Sequence, residues 1–402
     1  MSFNLKDYFC GLFILTVAFS YSVYMVAVTG FGVPTEGAVF QIYSGLLSVL
    51  VTLIYVYNFK KIGTKTNIKT LFICFIVVFL FFVTKSFYNT SNKFFNSYFL
   101  SMGVRFIPSI LLGVVITTWK NVLGKIDKSL MLFVLFFTII LAICVLNAKL
   151  GANLNETFNT DGGLNYQTIS YYSVFAFGMT MYLLTSQKNK RIYIAMLIGL
   201  ALLQLYMAIS AGGRGAFVLA IFFLFYYGLK KLTFWKLLLY VIIAVICFSI
   251  FESLFASNSI FSAGANRIFN FFGSSDAVEN DGRWIRYGLA IDAFWESPLW
   301  GNGLGSVFYK VGFYSHNVFT DVLCEGGLLF FGLILYLFAK FFFISKKAIA
   351  SDYRNEIVVI IFICSLTNLL FSGYYFAETG VWFAMAYMFC NKSHYINTVK
   401  SI

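Results

Sequence analysis

Apolar runs of about twenty residues recur from one end of this chain to the other, and each is long enough to cross a bilayer as a helix. Between them lie short polar segments, many carrying two or three basic residues. This pattern excludes most soluble architectures before any motif is considered. Only 11% of the 402 residues are charged and 60% are hydrophobic. A soluble surface of this size needs about 25% charged residues. The reading is therefore an all-α, polytopic integral membrane protein forming a single membrane domain over 1–402.

Twelve spans are predicted, at 9–29, 38–58, 70–87, 96–118, 129–147, 166–186, 192–211, 214–230, 235–255, 316–343, 356–373 and 378–391. The net charge of +13 raises the question of nucleic acid. The placement of the charges answers it, because they cluster in alternate loops. Lys60, Lys61, Lys65, Lys69, Lys120, Lys125, Lys128, Lys188, Lys190, Arg191, Lys230, Lys231, Lys236, Lys346, Lys347, Arg354, Lys392 and Lys400 share one side. By the positive-inside rule that side is cytoplasmic, with both termini. Glu36, Glu156, Asp161, Asp276, Glu279, Asp281, Asp292 and Glu296 fall on the other side. No nucleic-acid partner is expected; the expected surroundings are membrane lipids.

The seven cysteines lie within or at the edges of apolar runs and make no C-x-x-C pair, so neither a disulfide framework nor a zinc site is expected. The N-terminus shows no cleavable signal pattern, and its first apolar run is read as a retained helix.

Two outside segments exceed a simple turn: 148–165, rich in Asn and Gly, and 256–315, between the ninth and tenth spans. The second holds Trp284, Trp295 and Trp300 and is read as an ordered loop on the membrane face. Asp281 is placed to cap a helix over about 283–296 that stops before Pro298. Trp284, Tyr287, Ile291 and Trp295 fall on one side of it, as in an interfacial amphipathic helix. Gly301-Asn302-Gly303-Leu304-Gly305 follows as a flexible glycine segment.

Three polar positions lie outside and near helix ends. Arg214 stands among glycines in Ser210-Ala211-Gly212-Gly213-Arg214-Gly215-Ala216, where a guanidinium can grip a phosphate through two parallel hydrogen bonds, or a lipid headgroup. Arg283 and Arg286 are three apart and share a helix face, facing either an anion or the headgroups. His316 is read in the first turn of a helix with Ser315 as its cap. There the positive helix end favours the neutral imidazole, which can accept a proton; an anchoring role at the interface is the alternative. Glu325 lies about 13 Å further along at 1.5 Å per residue. Asp321 is one turn before it, and Arg105 is a candidate to neutralise one of the two. The glycines of 301–305, Gly303 among them, offer backbone N–H groups to an anion, or are only a loop. His394 is read as incidental.

Together these segments resemble the O-antigen polymerase and O-antigen ligase superfamily (Wzy and WaaL) over roughly 205–335. The resemblance rests on Ser210 to Ala216; on Asp281-Gly282-Arg283 and the helix after it; on Ser297-Pro298-Leu299-Trp300-Gly301-Asn302-Gly303-Leu304-Gly305; and on Ser315-His316-Asn317 leading to Glu325-Gly326-Gly327. It departs from that family in having Gly-Gly-Arg where many members have Ser-Arg. The first 200 residues show only a matching helix count.

The resemblance implies a metal-independent, cofactor-free, inverting glycosyltransferase of the bacterial inner membrane with a periplasmic active site. It implies transfer of glycan from an undecaprenyl diphosphate carrier to a sugar hydroxyl of another lipid-linked repeat unit. It implies that Arg214 and Arg283 hold the diphosphate, with Arg286 competing for the second place. It implies that His316 orients or deprotonates the acceptor hydroxyl, and that Tyr314, Asn317, Glu325 and Gly303 are substrate contacts. A chain-length regulator protein is a further expected partner. Polymerase is favoured over ligase because a composition rich in Phe, Tyr, Ile, Asn and Lys, with 3 Pro, fits surface-polysaccharide clusters. A ligase acting on lipid A core is the near alternative, and a lipid-linked glycan flippase the remote one.

Overall fold

The structure is a computed structural model of the 402-residue chain. It describes residues 5–30, 38–62, 105–148, 166–186, 191–231, 268 and 282–391. The predicted spans 70–87 and 235–255, the loop 148–165 but for its first residue, most of 256–281, Asp281 and His394 lie outside the described residues.

Among the described residues the chain is helical, without a strand. The helices are α1 (Leu5–Ala18), α2 (Ser20–Gly30) and α3 (Ala38–Ile62); α4 (Arg105–Thr118); then α5 (Val122–Ala148), α6 (Tyr166–Ser186), α7 (Arg191–Ala211), α8 (Arg214–Lys231), α9 (Gly282–Glu296), α10 (Ser306–Lys310), α11 (Val318–Ser351), α12 (Glu356–Phe371) and α13 (Thr379–Cys390). Five segments among them are long and apolar enough to cross a membrane: Ile42–Ile62, Val122–Val145, Ile192–Ala211, Val318–Ser351 and Tyr353–Phe371. Large apolar side chains such as Leu46, Leu53, Phe136, Leu202 and Phe343 are exposed along several of these. Soluble proteins seldom expose so much, whereas lipid tails are a suitable solvent for it. The run read as one span over 9–29 is two helices, divided at Phe19.

Two compact units are present. One comprises described residues within Met1–Tyr21, Ala38–Lys128 and Glu279–Ile402; the other, those within Ser22–Gly37 and Ser129–Val278.

In the first unit α13 is buried along its whole length. A helix apolar on every side belongs inside a bundle. It packs on α12, α11 and α1, and Thr379 Oγ1 donates to the Ala18 carbonyl at 2.8 Å. Phe106 of α4 meets Trp382 edge-on at 4.7 Å. α4 and α13 approach so closely at Gly113 that a Cβ there would lie 2.5 Å from the Phe383 carbonyl oxygen. Gly113→Ala should therefore cost about 1–3 kcal/mol through overpacking. Gly45→Ala in α3, where a Cβ meets open space, should be neutral or gain up to about 1 kcal/mol of helix propensity. Thermal unfolding of the two purified variants checks this, and equal midpoints would refute it.

The N-terminal segment, the turn after α4 and the turn after α11 share one end of this unit. Lys128 pairs with Asp7 at 3.1 Å, and Arg354 Nη1 donates to Asn121 Oδ1 at 3.3 Å. α11 and α12 run antiparallel, so His316 and Ser372 occupy the end away from Arg354; the imidazole Nδ1 lies 3.3 Å from the Ser372 carbonyl.

In the second unit α6 is the buried centre. Its Gly178 lies against Phe223 of α8. Ser170 Oγ donates to the Ala208 carbonyl of α7 at 2.7 Å. Gln204 Nε2 donates to Thr138 Oγ1 at 2.8 Å, an interhelical polar contact in an apolar setting.

Candidate functional site

The site is organised by a break in α11. Gly327 has φ 61° and ψ −162°, a backbone conformation open essentially to glycine alone. Breaking a helix strips partners from carbonyls before the break and from N–H groups after it. The segment 297–303 supplies both. Asn302 N–H and Nδ2 donate to the Cys324 carbonyl at 3.0 and 3.1 Å. Gly303 N–H donates to the Glu325 carbonyl at 2.8 Å. In return Leu328 N–H donates to the Pro298 carbonyl at 2.8 Å and Leu329 N–H to the Leu299 carbonyl at 3.3 Å. Asn302 Nδ2 also reaches the Ala293 carbonyl of α9 at 2.6 Å. The glycines are what let two backbones touch: a Cβ on Gly301 would strike the Glu325 main chain.

This corrects two expectations. The 301–305 segment is a buried plug and not a flexible one. Its N–H groups at 301, 302 and 303 go to the Ser297, Cys324 and Glu325 carbonyls, so Gly303 offers no anion nest.

The plug leads through α10 into the turn 311–317 that presents His316. The imidazole-bearing residue is not in the first helical turn. It precedes the helix with φ 68°, a left-handed conformation that costs a non-glycine residue about 1–3 kcal/mol. Asn317, not Ser315, caps α11: its side-chain oxygen accepts from Phe319 N–H at 2.9 Å. A cap of this kind is worth about 1 kcal/mol. The Asn317 side-chain oxygen is thus engaged by the helix. Ser315 Oγ shares a hydrogen bond of 2.6 Å with Thr320 Oγ1 and donates to the Asn317 carbonyl at 3.1 Å. Ser315 N–H donates to Asp321 Oδ1 at 2.7 Å. Each bond pins the residue before His316.

Aromatic rings surround the imidazole. Tyr314 lies edge-on at 4.6 Å and Phe313 at 5.7 Å. The Arg286 guanidinium sits over the Phe313 ring at 5.6 Å, a cation–π contact. Arg286 is thereby tied to the His316 turn through one ring. Arg283 lies half-buried one turn earlier on α9. The inner face of α9 carries Ala290, Ala293 and Phe294, with the two arginines half-buried, while Trp284, Ile285, Leu289 and Trp295 are exposed. The apolar outer stripe differs from the expected one, since Tyr287 and Ile291 turn partly inward.

Glu325 faces the bundle. It accepts from Tyr374 Oη at 2.8 and 3.1 Å and from Tyr375 Oη. Burial, and after it the Glu325 carboxylate, push both phenols well above their ordinary range, so they remain donors. Tyr374 also packs against Tyr314 and Phe308, which links the buried acid to the His316 turn. Arg105 has a different partner from either expected acid. It interacts electrostatically with the buried Glu378, which also accepts a hydrogen bond from the Asn368 amide. Sequence reasoning missed the whole 372–378 segment; its one signal was a buried acid that needed a donor.

Arg214 belongs to the second unit. It is half-buried at the first position of α8, just after Gly212 (φ 72°) and Gly213, which packs on Ser170. A helix N-terminus with a guanidinium on its first residue is suited to an anion. No protein-family model, curated protein or solved structure matches this chain.

Proposed function

We propose that the chain is a membrane glycosyltransferase that polymerises lipid-linked repeat units at the extracytoplasmic face. The donor is glycan on undecaprenyl diphosphate, and the acceptor is a sugar hydroxyl of a second carrier-linked unit. The observation that carries this reading is the His316 turn: an imidazole held on left-handed backbone, with the Arg286 guanidinium joined to it through Phe313. The sequence resemblance over 205–335 and the exposed apolar helices support it. So does the charge pattern, since the lysine-rich segments around 120–128 and 346–354 share the end away from His316.

The geometry suits the reaction. A carbonyl only accepts, so the Nδ1 contact with Ser372 requires its proton on Nδ1. Nε2 is then the basic nitrogen. It takes the proton of the acceptor hydroxyl as that oxygen bonds to the anomeric carbon. The bond from that carbon to the carrier phosphate breaks, and the diphosphate leaves with the electron pair. Guanidinium groups stabilise the departing charge, so no strong acid is needed. Attack opposite the leaving group inverts the anomeric centre. Arg286 and Arg283 are assigned to the phosphates in this unit; Arg214 is assigned to phosphate at the start of α8.

Purified protein supplied with defined lipid-linked repeat units tests the reading, with products read by gel and mass spectrometry. A ladder of extended carrier-linked glycan is expected. Transfer only to a lipid A core acceptor would make it a ligase. Movement of labelled substrate across vesicles with no bond formed would remove the enzyme reading. In the same assay Arg286→Ala should lower kcat/KM by about 10- to 100-fold, the loss of one charge-assisted contact of about 1.5–3 kcal/mol. A larger loss for Arg283→Ala would reverse the order of the two arginines.

A further inference from the structure

We infer that Asp321 is a positioning residue that holds His316 in its working orientation. Asp321 is fully buried in the first turn of α11. Its Oδ1 accepts the Ser315 N–H at 2.7 Å, and that peptide group immediately precedes the left-handed His316. The next side chain back along the helix, Thr320, bonds Ser315 Oγ at 2.6 Å. Main chain and side chain of Ser315 are thus both fastened to the start of the helix, and the strained residue follows.

The other carboxylate oxygen, Oδ2, is buried and meets no hydrogen-bond donor among the described residues. A carboxylate buried this way is a weak stabilising element, because its desolvation is only partly offset. An apolar side chain of similar volume would pack there without that cost. What Leu could not do is accept the Ser315 N–H. Asp321 therefore acts on geometry, and it does so through His316 without touching substrate. The activity arm of the test rests on the proposed polymerase reading; the labelling arm does not.

Asp321→Ala should lower kcat by about 100-fold with KM little changed, the effect of a displaced catalytic group. Asp321→Asn retains an oxygen for Ser315 N–H and should recover most of that loss. In a His316→Ala background Asp321→Ala should cost nothing further, since the two act as one unit. Should the alanine variant not insert, Asp321→Leu fills the space without an acceptor and takes its place. Independently of activity, the chain has 2 His, so modification of His316 by diethylpyrocarbonate can be followed by mass spectrometry. Its rate should change roughly five-fold or more in Asp321→Ala or Asp321→Leu, as release of the strained turn redistributes the ring, and return in Asp321→Asn. Unchanged labelling in a folded Asp321→Leu protein would overturn the inference. So would full additivity with His316→Ala. A wild-type protein that makes no polymer would instead remove the function reading and leave the labelling result to decide this one.

Discussion

Replacing His316 by alanine should lower chain extension by about a thousand-fold while the protein still inserts, the middle of the range for losing a general base. The expectation rests on the tautomer set by Ser372, which leaves Nε2 basic. Polymer within a few-fold of wild type, measured on purified protein, would end the proposed role. A companion variant separates chemistry from folding. His316→Gly removes the imidazole but suits a backbone of φ 68°, so it should be as inactive as alanine. It should also be at least as stable as wild type, because glycine relieves left-handed strain of about 1–3 kcal/mol. Loss of both stability and activity would mean that the imidazole holds the turn together and need not act as a base.

Gly327→Ala should be the most damaging single methyl group in the described part of α11. The residue sits at φ 61° and ψ −162°. A Cβ there would lie 2.6 Å from the Pro298 carbonyl oxygen and 2.7 Å from Gly301 N. Strain and overpacking together should cost about 3–5 kcal/mol, a loss rarely reached by one substitution. Gly332→Ala, five residues on in the same helix, meets nothing within 4 Å and serves as control. The comparison is made by expression yield and thermal midpoint in detergent. Equal behaviour of the two variants would refute the break as a structural necessity.

The long apolar helices were legible as helices because apolar composition over twenty residues leaves a chain few alternatives. The run read as 166–186 is α6, and the one read as 192–211 is α7 within a residue. The division at Phe19 was not legible, since apolar residues lie on both sides of it. The start of α11 was misread because Ser315 and Asn317 are both good caps, and only the backbone decides that Asn317 accepts from Phe319. The break at Gly327 was hidden because a glycine pair inside an apolar run reads as a tolerated weakness. His316 and the pair Arg283 and Arg286 were found from their polarity and loop position, whereas Tyr314 and Asn317 came only with the family resemblance. Their supports were not found: Tyr374 and Tyr375 meet Glu325 across 49 and 50 positions, a contact that no local pattern encodes. Asn302, which ties α9 to the break, read as one polar residue in a glycine loop.

The exchange of main-chain partners between 297–303 and 324–329 has a consequence for protein engineering. Neither segment is a transplantable module. A chimera importing foreign residues at one place leaves donors and acceptors exposed at the other, in surroundings where water is scarce and each orphaned group costs several kcal/mol. Only grafts that carry both stretches together, glycines 301 and 327 included, should yield a protein that reaches its folded state.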